Sequence, residues 1–196
     1  MKGMMPEPGL EIRRLCAEDE QSFREAVAEA AAEVPPWPFA FGWSDALSFP
    51  DYVRRVAAWE RGEELPEGFV PAGYYVAVVD GEIAGRLSVR FALNDYLAEF
   101  GGHIGYAVRA AYRGRGYATA MLREALRICA GRGMTRVLVT CHADNPGSRK
   151  VIERCGGVFE RTTVDPGHSA EMRRYWVRRP DARKGNKRKK TTVAKG

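Results

Sequence analysis

The sequence predicts an α/β protein of one domain, a mixed β-sheet with about four helices packed on it. Three observations carry this. Short runs rich in Val, Ile and Tyr alternate with longer Ala- and Glu-rich stretches of helical period. The pair Asp80-Gly81 joins two such runs as a hairpin turn. A glycine-rich turn at residues 113–116 stands between a strand pattern and a helix pattern, the connection where open α/β sheets hold ligands. At 196 residues the chain suffices for one well-buried domain and would crowd a second. Residues 10–179 are assigned to it, with a flexible stretch at 1–9 and a basic tail at 180–196.

In chain order, residues 10–16, "LEIRRLC", alternate apolar and polar and predict a first strand. Residues 19–33 are rich in Ala and Glu without a breaker and predict a helix, stopped by Pro35 and Pro36. The stretch "PPWPFAFGW" at 35–43 fits no regular element; its four aromatic residues suit either packing on the core or a pocket wall. Ser44 is read as the N-cap of a helix reaching Arg61. Residues 74–93 form the hairpin about Asp80-Gly81, which tolerates the positive φ of a type I′ turn. Residues 102–108, "GHIGYAV", predict a further strand. A helix over 117–132 gathers Met121, Leu122, Ala125, Ile128 and Cys129 on one face, and Gly133 ends it. Residues 136–141 read as a buried strand. Asn145 then caps a helix with Pro146 at its first position, ending at Gly156-Gly157. Strands at 159–164 and 171–178 complete the order.

The net charge is +6, but residues 180–196 hold seven Lys/Arg against one Asp, so the tail carries all of it and the body is neutral. That tail is polar and predicted to be disordered; weak binding of a polyanion is the one partner its charge suggests. No apolar run reaches the roughly 18 residues that would cross a bilayer, and residues 1–14 lack the apolar core of a signal peptide, so no membrane partner and a cytoplasmic location are expected. Cys16, Cys129, Cys141 and Cys155 are scattered with no metal or disulfide spacing, and no metal site is expected.

Gly114 and Gly116 leave main-chain N–H groups unshielded at the start of a helix, with Arg113 and Arg115 beside them. That combination cradles an anion, most simply a phosphate. The string is not GxxxxGK[ST], and a GxGxxG register would need glycine at Thr119. Both common nucleotide loops are therefore excluded.

"RGRGYA" at 113–118 fits R/Q-x-x-G-x-G/A, and "NPGSRKVIERCGG" at 145–157 supplies an Asn, a small residue three on and a glycine eleven on. In these two motifs the chain resembles the GNAT acetyltransferases, over nearly the whole of residues 10–177. The resemblance implies the GNAT fold and acetyl-CoA as co-substrate. It places Arg113, Gly114, Arg115, Gly116, Tyr117, Ala118 and Thr119 about the pyrophosphate. It places Ala107 and Val108 along the pantetheine arm, where their strand splays from the one holding Val139. Asn145 would hydrogen-bond that arm, and Ser148 would lie near the departing thiolate.

Acetyl transfer to an amine needs a neutral nucleophile, a donor for the thioester oxygen and a proton for the leaving sulfur. The Val108 N–H is expected as the oxygen donor. Many GNAT enzymes supply the proton from a tyrosine seven residues after the Asn, where this chain has Ile152; Ser148, Tyr117 or a water is left for that role. His103 and Glu99 are the expected bases, ahead of His142 and His168. Cys141 and Cys155 have no partner base and are not expected to carry the acyl group.

The expected function is an N-acetyltransferase whose acceptor, a small-molecule or peptide primary amine, attacks directly in a ternary complex. Two other readings stay open on sequence alone: a non-catalytic acyl-CoA-binding sensor, and an acetyltransferase tied to RNA or a ribosomal protein through its tail. A homodimer through the last strands is compatible with the resemblance. Glu60, Glu63, Glu64 and Glu67 are read as a solvated acidic helix end rather than an amine lure.

Overall fold

The computed structural model describes residues 9–167 and 169–178; the expectations for residues 1–8, His168 and the tail lie outside them. Seven strands form one sheet. β1 (Leu10–Arg14), β2 (Ala72–Val79), β3 (Glu82–Arg90) and β4 (Ile104–Val108) run antiparallel in sequence order. β5 (Arg136–His142) joins β4 in parallel, β7 (Ala170–Arg178) follows it antiparallel, and β6 (Gly157–Asp165) forms the edge. Between β2 and β3, Asp80 and Gly81 take φ of 51° and 85°, as the turn requires.

Alternation along β2 assigns the faces. Tyr74, Val76 and Val78 pack with Ile83 against α1 (Glu20–Ala32) and α2 (Phe49–Arg61). Tyr75 and Ala77 pack with Leu87 and Val89 against α3 (Tyr117–Gly131) and α4 (Pro146–Arg154). The apolar stripe of α3 is buried as its spacing demands: Met121, Leu122, Ala125 and Cys129 have no exposed surface. Among the described residues no helix is long and apolar enough to cross a membrane, and no group of three or more His, Cys, Asp or Glu is placed to hold a metal ion.

Two local expectations change. α2 begins at Phe49, not after Ser44: Ser48 is its cap, accepting the Asp51 N–H at 3.2 Å. Pro50 explains the shift, since it lacks an N–H and its ring would clash with the carbonyl four residues earlier in any longer helix. Ser44 instead closes a tight turn, its carbonyl accepting from the Leu47 N–H.

Glu60 is also not part of a solvated helix end. It is 8% exposed and binds Arg14 through two hydrogen bonds of 2.7 and 2.8 Å and Arg132 at 3.1 Å, tying α2 to β1 and to the end of α3. The Arg14 hydrogen bonds hold its carboxyl below the ordinary 4.5. A carboxyl depressed in the folded state stabilises it above the unfolded pKa and loses that contribution as the pH falls. Glu60→Gln is therefore expected to lower stability by about 2 kcal/mol at pH 7. The gap from wild type should narrow below about pH 4.5, as read by urea denaturation across pH.

The aromatic segment at 35–43 packs on the α1/α2 face. Phe39 is buried, and Trp43 meets Phe23 and Tyr52 edge-on at 5.1 and 5.3 Å. Its inner rim reaches β3, where the Pro38 carbonyl accepts from Arg86 at 3.2 Å.

Candidate active site

β4 and β5 pair at a single position, Ile104 with Val139. His103 and Gly102 make that join. The His103 N–H donates to the Leu138 carbonyl at 2.8 Å, and its Nδ1 accepts the Leu138 N–H at 2.9 Å, standing in for a backbone acceptor. A Cβ on Gly102 would lie 2.8 Å from the same carbonyl, so only glycine fits this approach. Beyond Ile104 the strands part. The ladder with β3 takes main-chain groups of alternate residues; by that alternation those of Tyr106 and Val108 face the gap.

A groove of about 490 Å³ fills the opening, between β4 and the N-termini of α3 and α4. It brings together Ala107, Val108, Arg113, Ala118, Asn145 and Ser148 of the residues singled out in the sequence, and adds Tyr106, Trp37 and Glu33. Asn145 caps α4, its Oδ1 accepting the Ser148 N–H at 2.8 Å, which leaves its amide hydrogens for a ligand. Gly114 and Gly116 have φ of 80° and 86°, and no side chain caps α3. Tyr117 and Thr119 turn their side chains into the core, so only their main chain faces this turn. Arg115 lies over the Tyr112 ring. Arg113 binds Glu33 at 2.6 and 2.7 Å and donates to the Val108 carbonyl at 3.0 Å.

His103 and Glu99, expected as bases, are not brought to the groove. With Nδ1 bonded to Leu138, the neutral ring carries its hydrogen on Nε2 and has no free acceptor. Burial also pushes its pKa below the ordinary 6.5. Glu99, in a π-helical turn at Leu97–Gly101, accepts from Arg161 at 2.7 Å and Thr163 at 2.9 Å, and the Arg161 bond holds its carboxyl below its ordinary value. His103→Asn, which keeps an acceptor for Leu138, is expected to leave kcat within about threefold of wild type. A base would cost about 100-fold, so steady-state kinetics separates the two roles.

Tyr106 went unremarked in the sequence. Its side chain points to the α4 side of the groove, and its hydroxyl lies 2.9 Å from Ser148 Oγ. Burial raises the phenol well above its ordinary pKa, so it stays protonated near neutrality. Ile152 is fully buried beneath. The signal was there: in "GHIGYAV" the tyrosine is the alternate residue sharing a face with Ile104 and Val108.

On the α2 side of the sheet a second cavity of about 270 Å³ opens, mostly apolar, walled by Tyr52, Trp59 and Phe69, with Ser88, Arg90 and Tyr96 among its polar members. It is lined from α2, β2 and β3, on the sheet face opposite the groove. Burial raises the pKa of Cys141 and Cys155 and leaves both thiols protonated, poor nucleophiles for an acyl-enzyme.

The model of the acetyltransferase (GNAT) family matches residues 27–157. No curated protein sequence matches the chain at a significant level. Among solved structures, the ribosomal-protein-S5-alanine acetyltransferase of Vibrio fischeri superposes with a TM-score of 0.66 at 17% identity, over 88% of this chain and 94% of that one. RimJ of Mycobacterium smegmatis, in complex with a CoA disulfide, gives 0.65 at 20%, over 86% and 81%. RimL, a ribosomal L7/L12 α-N-protein acetyltransferase in complex with coenzyme A, gives 0.62 at 19%, over 89% and 96%. At such identities the likeness to these structures is one of fold.

Proposed function

Because this chain belongs to the GNAT acetyltransferase family, we propose that it transfers acetyl from acetyl-CoA to a primary amine by direct attack in a ternary complex. The observation that carries the reading is the parted β4–β5 pair, open to a groove holding both motif segments; the apolar cavity on the other face of the sheet, walled by α2, β2 and β3, is read as the acceptor side. The pyrophosphate would lie on main-chain N–H groups between Gly114 and Ala118, since those of Arg113 and Thr119 already donate to the Ala110 and Gly116 carbonyls. The pantetheine arm would run along Ala107 and Val108 as the missing strand, with Asn145 hydrogen-bonded to it.

In the transfer, the amine nitrogen bonds to the thioester carbon while the carbon–sulfur bond breaks. The Val108 N–H, turned into the gap, receives the carbonyl oxygen as it gains charge. The Tyr106 hydroxyl gives its proton to the departing sulfur and regains one from solvent, held in line by Ser148. The amine sheds its proton to water. No side-chain base is required where the cavity itself disfavours an ammonium ion, through its apolar walls and the positive charge of Arg90. Two of the solved neighbours are named for ribosomal proteins, one of them as an α-N-protein acetyltransferase, which favours a peptide or protein α-amine as acceptor.

Incubating the protein with acetyl-CoA and a panel of peptide and small-molecule amines should release free thiol with at least one of them. Micromolar CoA binding without thiol release for any amine would instead support a sensor.

A further inference from the structure

Arg86 and Arg90 lie four residues apart on β3 and share a face with Ser88 between them; Ser88 and Arg90 line the acceptor cavity, and Arg86 lies beside them. Arg86 is 8% exposed. Its Nη2 reaches the Pro38 carbonyl, while Nε and Nη1 are buried with no hydrogen-bond partner. Its guanidinium stacks on Phe41 at 4.7 Å, which does not neutralise it. Arg90 donates, among the described residues, to the carbonyls of Gly101 and Gly102, at 3.4 and 3.1 Å. Among the described residues neither guanidinium has a carboxylate partner. Of the other buried charged side chains described, Asp19, Glu60, Arg109 and Arg174 have an oppositely charged partner in Arg13, Arg14, Glu29 and Glu160, and Asp165 accepts from Tyr96.

The two cations also converge. A Cβ placed on Gly105, opposite them on β4, would lie 3.1 Å from Ser88 Oγ, 3.5 Å from Arg86 Nη1 and 3.7 Å from Arg90 Nη2. Burial first and the neighbouring Arg86 second push the Arg90 pKa down to about 10. Unpaired buried charge is costly, and Arg86, buried, with Arg90, partly buried, offers donors to an anion beside Ser88, whose hydroxyl donates to the Gly105 carbonyl at 3.3 Å.

We propose that Arg86, Ser88 and Arg90 bind a carboxylate of the acceptor, so that the enzyme selects amines carrying an acidic group. The proposal rests on the reading of this cavity as the acceptor side. Gly105 precedes Val108 by three strand residues, about 10 Å, so the carboxylate belongs within roughly that distance of the amine. A peptide N-terminus with Asp or Glu at its second position meets this, as does the ε-amine of free lysine with its own α-carboxylate. With both guanidiniums present, one carboxylate leaves the site net positive, so the amine is still pressed towards its neutral form.

Four acceptors test it: Ser-Asp-Ala-amide against Ser-Asn-Ala-amide, and lysine against lysinamide, with thiol release as the readout. The acidic member of at least one pair should show a kcat/KM about tenfold or more above its neutral partner, and the pair that responds names the source of the carboxylate. Arg90→Met should bring that ratio to within twofold of unity while CoA affinity by calorimetry stays unchanged. Equal rates within both pairs, with transfer occurring, would overturn the proposal and leave the acetyltransferase reading standing. If no amine is acetylated, calorimetry of the four ligands into CoA-saturated protein decides separately: tighter binding of an acidic member, lost in Arg90→Met, upholds the anion site, and equal binding rejects it.

Discussion

Replacing Gly116 with valine is expected to weaken coenzyme A binding by about 100-fold or more, while the protein stays folded. Gly116 precedes α3 with φ of 86°, a conformation that costs an ordinary residue about 1–2 kcal/mol and a β-branched one more. The chain can relieve that strain only by rotating the turn, and the turn is what aims successive N–H groups at one point. A diphosphate held by several such groups loses them together, so a small rearrangement has a large effect; 100-fold is about 2.8 kcal/mol. Gly114→Ala gives the graded comparison. It shares the positive φ but has open space about the added carbon, so it should weaken binding by roughly tenfold through strain alone. Calorimetry with CoA reads both, and thermal unfolding without ligand shows how much of the cost falls on the fold. Unchanged affinity in Gly116→Val would remove this turn from the binding site.

The second large effect belongs to Tyr106. Tyr106→Phe removes one oxygen from the groove and is expected to lower kcat by about 100-fold, the lower end of what a positioned acid supplies. Its CoA affinity should stay within twofold of wild type, since the ring still packs beside Ile104 and Val108. Because burial keeps the wild-type phenol protonated well past neutrality, wild-type kcat should not fall between pH 6 and 9 from loss of this acid. A phenylalanine variant with normal kcat would assign the hydroxyl to holding Ser148 alone.

The strands, the hairpin and three of the four long helices were legible because each rests on local chemistry. Asp80-Gly81 needs only its own backbone preference, and the α3 stripe needs only its period. The start of α2 was misplaced because Ser44 and Ser48 are equally good caps in isolation; Pro50 decides between them, and its reach of four residues back was the clue. The groove was legible through Asn145, a helix cap, and through the positive-φ glycines Gly114 and Gly116 at the turn beside it. His103 and Glu99 were plausible bases by residue type, but their partners, Leu138 on β5 and Arg161 on β6, are distant in sequence. Arg86 and Arg90 read as ordinary alternate positions of a strand. Their lack of a counter-ion among the described residues is a property of everything packed around them, which no local pattern reports.

The single paired position between β4 and β5 has a mechanical consequence. The β1–β4 ribbon and the β5–β7 ribbon are seamed by one stitch at Ile104 and Val139, backed by the His103 ring. A ligand laid along the open edge of Ile104–Val108 would lengthen that seam. In its absence the amides of Tyr106 and Val108 should exchange with solvent faster than those of the β2–β3 hairpin, and saturating coenzyme should slow them most.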